Sequence, residues 1–270
     1  MALDSVRAFQ HCSGLTPTPM NKQNAFPCPL ELAKPRRSRH AAVPRLPDEY
    51  GFTLIELLVV IAIIATIAAF AVPALTSALT KGQMTGTVNN ARQLYLAGYQ
   101  MALDGSTNSD ANLAWPGDYA SGVTTLQDYC TKLVANDYLK ASDLPKILSA
   151  PGATVTASSS GTGSATTVTL GGTSGLKVYP VTAADGSNVI FAVTSNYTYD
   201  TDFGATTAPP FGDKGFVVVR KGGDAVVLRK NNAKATPGEE AAFESLVGKK
   251  PGEAQGTVSA GDPTGVLKQP

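Results

Sequence analysis

The chain has 270 residues, a net charge of +1, 43% hydrophobic residues and only 16% charged ones. Charged residues usually make up nearer a quarter, and with 26 Gly and 18 Pro the composition implies a modest core with many turns. A balance of +1 supplies no global field to recruit nucleic acid or an anionic membrane.

Residues 1–51 carry seven Lys/Arg against four Asp/Glu, and residues 52–270 carry fifteen against seventeen. Both histidines (His11, His40) and two of the three cysteines (Cys12, Cys28) lie in the first part. If that part is removed, Cys130 is the one cysteine left and no histidine remains. His-dependent triads, His-ligated metals and an internal disulfide are then excluded, and a conventional hydrolase or zinc enzyme with them.

The apolar content is concentrated in Phe52–Phe70, nineteen residues of which only Thr53, Glu56 and Thr66 are not apolar. As a helix, at ~1.5 Å per residue, this run is roughly 28 Å long, about the thickness of a bilayer's hydrocarbon core. A plain cytosolic protein is excluded. The run is longer than the apolar part of a secretory signal, and no A-x-A-like site follows it. Arg36-Arg37 lies too far upstream, across a polar and acidic gap, to read as a twin-arginine signal.

The segment Gly51-Phe52-Thr53-Leu54-Ile55-Glu56-Leu57-Leu58-Val59-Val60-Ile61-Ala62-Ile63-Ile64, continuing through Pro73 to Leu75, closely resembles the N-terminus of type IV pilins and type II secretion pseudopilins. The resemblance implies that a membrane-embedded prepilin peptidase cuts between Gly51 and Phe52 and methylates the new amino terminus of Phe52. It further implies that Glu56 pairs with the terminal amine of a neighbouring subunit, setting axial register and cancelling two charges that are costly alone in an apolar fibre core. Family leaders are usually short and end on a basic residue, whereas this one has 51 residues and ends Asp48-Glu49-Tyr50-Gly51. A start at Met20 would shorten it to 32 residues. Lys34, Arg36, Arg37, Arg39 and Arg45 keep the leader cytoplasmic by the positive-inside rule, which puts the head in the periplasm.

The expected organisation is a basic leader over 1–51, a long helix over 52–104 that spans the membrane to about residue 75, a head over 105–235 and a polar tail over 236–270. Pro73 is expected to kink the helix or loosen one turn. Gly82 and Gly86 weaken it further, either as tolerated residues or as a segment that melts during assembly. From Val88 the pattern turns amphipathic: Val88, Ala91, Leu94, Tyr95, Gly98 and Met101-Ala102 recur at helical spacing and should pack against a sheet. The helix should end near Asp104-Gly105. Tyr95 and Tyr99 read as core or subunit-contact residues.

Thr124 or Thr125 caps a short helix through Asn136, with Cys130 on its buried side. Residues 152–175 contain 18 Ser, Thr or Gly out of 24, no charge, and read as an exposed loop or loose hairpin that adds little core. Strands follow over Val189–Thr194, Gly215–Arg220 and Ala225–Arg229, the last two joined by the turn Lys221-Gly222-Gly223-Asp224. Residues 231–270 read as extended or partly disordered apart from a helical turn around Glu239–Leu246. The fold class is α+β: a long N-terminal transmembrane and amphipathic helix packed against a small antiparallel sheet, pilin-like.

No catalytic pair stands out. Asp200-Thr201-Asp202 has the oxygens to help hold Ca2+, but without further acids a solvated turn is the better reading, and no cofactor is expected. Asn196-Tyr197-Thr198 is a lone glycosylation sequon. Arg220, Lys221, Arg229 and Lys230 bracket the hairpin, and with Asp224 between them they read as a soluble rim rather than a DNA contact.

What the resemblance implies is a structural subunit of a type IV pilus-like fibre, self-polymerising, partnered by the prepilin peptidase, an inner-membrane assembly platform and other minor pilins or pseudopilins. It would wait as a single-pass inner-membrane protein and then enter a periplasmic or extracellular fibre. The alternatives are a pseudopilin of a type II secretion system and a membrane-tethered binding module.

Overall fold

Helix α1 (Leu54–Asn108, 55 residues) runs without interruption through Pro73, Gly82 and Gly86. It belongs to a computed structural model that describes residues 51–204 and 209–269; the basic leader lies outside the described residues except for Gly51. After α1 come α2 (Leu126–Ala135), α3 (Leu144–Leu148), the strands β1 (Val155–Ser160) and β2 (Thr167–Gly172), β3 (Leu176–Val178), β4 (Ile190–Thr194), β5 (Phe216–Arg220), β6 (Ala225–Leu228), and α4 (Glu240–Leu246). β1 and β2 form an antiparallel hairpin; the other four form an antiparallel sheet in the order β3-β4-β5-β6. The α+β class read from the sequence is the observed one.

The second half of α1 supplies the stripe that the sheet needs. Met84, Val88, Ala91, Leu94, Gly98 and Met101 are buried, spaced three or four apart as one helical face requires, with Tyr95 buried beside Leu94. Gly98 is required by close approach, because a Cβ there would lie 2.2 Å from Tyr129 Oη. The helix continues four residues past the expected end at Asp104. Gly105 lies under the Leu113 carbonyl, where a Cβ would clash at 1.6 Å, so its missing side chain serves packing rather than termination. Termination comes at Ser109, in the left-handed region with φ 54°, where Asp110 N–H donates back to Gly105 O at 3.0 Å.

Both faces of the sheet are covered. In β5, Val217 packs with Met84 and Val88 and Val219 packs into the main core on the α1 side, while Phe216 and Val218 join the opposite cluster. That second cluster includes Tyr179, Tyr197, Tyr199, Phe243 and Val247. The expected extended or partly disordered tail is therefore folded over the sheet. Leu267 exchanges backbone hydrogen bonds with Val178 at 2.8 and 2.9 Å, which pairs the C-terminal segment with the β3 edge, and Ile190 N–H donates to Lys249 O at 2.9 Å. Strand β3 went unrecognised in the sequence because Lys177 interrupts its apolar run.

Lys177 is also the tail's anchor. Its Nζ meets Asp262 Oδ2 at 2.6 Å, and Tyr179 Oη donates to Asp262 Oδ1 at 2.7 Å. Burial lowers the Lys177 pKa from its ordinary value and the Asp262 charge pulls it partly back. Nearby, the buried Lys250 pairs with Glu253 at 3.0 Å, donates to Ser259 O at 2.8 Å and sits 5.4 Å from the Tyr199 ring centre. These contacts close the C-terminal loop without a disulfide. Cys130 is buried, and burial pushes its thiol up to about 12, so it stays a packing residue.

The Ser/Thr/Gly-rich stretch over 152–175 is the β1–β2 hairpin, and it contributes more than expected. Val155, Val168 and Leu170 are buried, because alternation turns the few apolar residues inward while the hydroxyls of β1 and β2 face water; Ala153, just before β1, is buried too. It is tied to α2 by Thr131 Oγ1 and Gln127 Oε1, which accept from Val168 N–H and Leu170 N–H at 3.2 and 3.0 Å. α2 itself starts at Thr125, in a capping box: Asp128 N–H donates to Thr125 Oγ1 at 3.2 Å and Thr125 N–H to Asp128 Oδ2 at 2.9 Å.

Two outcomes follow for the full chain in detergent. Asp262→Asn leaves a buried ammonium without its counter-charge and should lower stability by about 3 kcal/mol in denaturant titration, with much of the loss recovered in Lys177→Met/Asp262→Leu. Partial burial alone pulls the Asp128 carboxyl upward, but the hydrogen bonds from Thr124 and Thr125 outweigh it and hold its pKa below the ordinary 3.8. Its stabilising effect is thus full above 3.8 and lost as pH falls through the lower folded value. Asp128→Asn should melt below the parent at neutral pH, with the gap closing well below pH 3.8.

Candidate functional site

The first half of α1 is unlike the second. From Leu54 to Leu79 every residue is exposed, including Leu54 at 82%, Phe70 at 78% and Leu75 at 69%. An apolar helix bare on all sides is stable only where something other than water surrounds it, either lipid or other helices. It is the one described helix long and apolar enough to cross a membrane. Its polar residues turn inward: Thr66 Oγ1 donates to Ala62 O at 2.8 Å and Thr76 Oγ1 to Pro73 O at 3.0 Å, which satisfies each hydroxyl within the helix.

Gly51 and Phe52 precede the helix in non-helical backbone, and Phe52 is 81% exposed. Glu56 lies in the first turn, where the positive end of the helix dipole favours a carboxylate whatever else it does. It is four positions after Phe52 in the sequence. Pro73 sits inside the uninterrupted helix.

The other residues singled out in the sequence each make contacts of their own. Asp200 Oδ1 accepts from Ala235 N–H at 2.8 Å and Asp202 pairs with Lys234 at 3.2 Å, so the two carboxylates serve separate neighbours. No group of three metal-ligating side chains forms among the described residues. The sequon asparagine is buried and its Nδ2 donates to Gly212 O and Gly215 O, both at 3.0 Å, so glycosylation would break the turn before β5.

The basic rim divides in the same way. Arg220 pairs with Asp224 and donates to Ser245 O and Leu246 O, locking α4 to β5. Lys221 donates to Ala183 O at 2.9 Å and lies 5.5 Å from the Trp115 ring centre. Lys230 pairs with Asp213 at 3.2 Å. Arg229 instead faces a groove beside α1. Tyr95 is a core residue whose Oη donates to Lys221 O at 2.7 Å; Tyr99 stacks on it, ring centres 5.9 Å apart, and stays 42% exposed. The Lys177–Asp262 anchor was missed in the sequence; its signal was a lone lysine flanked by Leu176 and Val178.

Residues 47–72 match the family described as the prokaryotic N-terminal methylation motif. Two relatives, both the type IV major fimbrial protein FimA of Dichelobacter nodosus, are 35% identical over 65 residues and 34% identical over 67 residues. These alignments take in 24% and 25% of this chain and 42% and 43% of the relatives, so the chain spans less than half the length of the curated proteins it matches. No solved structure matches it. The segment with which α1 begins thus carries the prokaryotic N-terminal methylation motif, and over about a quarter of its length the chain is similar to a type IV major fimbrial protein.

Proposed function

We propose that the chain is a structural subunit of a type IV pilus-like fibre, held in the inner membrane by the first half of α1 with its head in the periplasm. The observation that carries this reading is the methylation segment opening a helix that is bare and apolar from 54 to 79 and amphipathic only from Met84 onward. In the membrane, lipid covers the bare half. In a fibre, the same half of neighbouring subunits covers it, so one surface serves both states without refolding.

Processing comes first in this scheme. The prepilin peptidase hydrolyses the Gly51–Phe52 bond, which removes the leader and leaves a positive amine on Phe52; N-methylation keeps the charge while making it more apolar. Glu56 pairs with that amine on the next subunit. Each charge alone is expensive in an apolar surrounding, and together they are tolerated only in register, so the pair selects axial stagger as well as lowering the cost. The assembly platform and other subunits of the same kind are the expected partners. The role is structural, with Gly51 and Phe52 acting as another enzyme's substrate.

A pseudopilin of a type II secretion system is the second reading. It is favoured by the sequence after Gly51, which has no second cysteine to close a C-terminal disulfide, and by the ion-pair closure at Lys177 and Lys250 in its place. Surface filaments that vanish on deletion of the chain indicate the pilus; lost protein secretion without such filaments indicates the pseudopilus.

Peptide mapping of the protein from its native membrane should find an N-terminus at methylated Phe52. A chain retaining Tyr50-Gly51 would overturn the fibre reading in favour of a tethered module. Glu56→Gln should insert in the membrane as the parent does while fibre yield falls at least tenfold in sheared-filament preparations. Undiminished assembly would remove Glu56 from the mechanism.

A further inference from the structure

A groove of about 780 Å3 runs between α1 and the β6 side of the sheet. Met84 and Leu228, both buried, give it an apolar floor, and Thr76 and Thr80 line its membrane end. Lys81, Lys214 and Arg229 stand around it, all exposed, and no acidic residue lines it. None of the three forms an ion pair among the described residues; the nearest acid in sequence, Asp213, is paired with Lys230. Three unpaired cations around one opening in a chain of net charge +1 make a local anion site that overall composition conceals.

The place of the groove along α1 identifies the anion. A hydrocarbon core about 30 Å thick takes up about 20 residues at 1.5 Å each, so a span starting at Leu54 leaves it near residue 74. Headgroups occupy the next ~6 Å or so on each side. Thr76, Thr80 and Lys81 fall at or just above that layer, and lysine's long stem lets its ammonium reach back into it. Below residue 74, Val72 lies one turn under Thr76 and is 59% exposed, and Phe70 is 78% exposed, so apolar surface is open to an acyl chain there.

We propose that this groove binds the headgroup phosphate of an anionic phospholipid, with Lys81, Lys214 and Arg229 around the phosphodiester and the acyl chains along Val72 and Phe70. Arginine's fork matches two phosphate oxygens, while the lysines contribute point charges. A zwitterionic lipid carries the same phosphate but brings its own ammonium into a cationic rim, so the groove prefers a headgroup of net negative charge. Since Lys81 is on α1 and the other two are on the head, one bound lipid fixes how the head stands over the bilayer while the subunit waits there. The proposal rests on the reading of residues 54–79 as a membrane span.

The full chain should float with vesicles of phosphatidylcholine, with or without phosphatidylglycerol. In native mass spectrometry from detergent, added phosphatidylglycerol should be retained in preference to phosphatidylcholine. Retention should fall about fivefold for each charge removed in the series ending at Lys81→Gln/Lys214→Gln/Arg229→Gln. Lys81→Arg/Lys214→Arg, which keeps the charges on exposed positions, should retain lipid as the parent does. Equal retention of the two lipids, or undiminished retention by the triple variant, overturns the headgroup site and leaves the membrane reading standing. Failure to float with either vesicle overturns the membrane reading, and the headgroup site falls with it.

Discussion

The constraint on which everything else depends is that one continuous helix must satisfy two solvents. Over 54–79, α1 has no polar face and cannot be stable against water. From Met84 it has a buried stripe on one side and polar residues on the other. The change takes place over Thr80–Thr85, where Lys81 and two threonines replace the aliphatic run. The head is attached only after that change, so the bare half stays available to lipid or to neighbouring helices.

The sheet is organised by the same helix, but α1 covers only one of its faces. A strand such as Phe216-Val217-Val218-Val219, apolar at every position, is stable only when both faces are buried. The second cover is the C-terminal segment with α4, Phe243 and Val247. A segment so rich in Gly, Pro and charge has little apolar area to hold it in place. Directional contacts compensate: the Val178–Leu267 and Ile190–Lys249 backbone bonds, and the buried ammonium groups of Lys177 and Lys250. Removing one charge of such a pair costs more than the pair itself contributes, which makes the closure all-or-none.

The division of charge across the head follows from this packing. Arg220 and Lys221 look like surface cations in sequence, yet both are consumed in joining the β5–β6 hairpin to α4 and to the 183–185 loop. Lys230 and Lys234 are paired across the surface. Among the cations outside any ion pair, Lys81, Lys214 and Arg229 line one groove beside α1, just above the height where the span ends. A surface that is neutral in sum is thus cationic in one place.

The sequence by itself determined the first half of α1. An apolar run with Gly51, Phe52 and Glu56 at its head is a local pattern, and its meaning does not depend on what it packs against. The amphipathic stripe, the Thr125 cap, the β5–β6 hairpin and the burial of Cys130 were legible for the same reason: each is set by residues within a turn or two of one another. Only the tertiary structure decided the fate of the C-terminal segment, the inward turn of the serine- and threonine-rich hairpin, and the use of Asn196, Asp200 and Arg220. Each of those depends on a partner distant in sequence, as Lys177 depends on Asp262. Composition made the last residues look like a solvated tail. It could not register that the second face of an all-apolar strand needed covering, nor that two buried lysines would hold the cover in place.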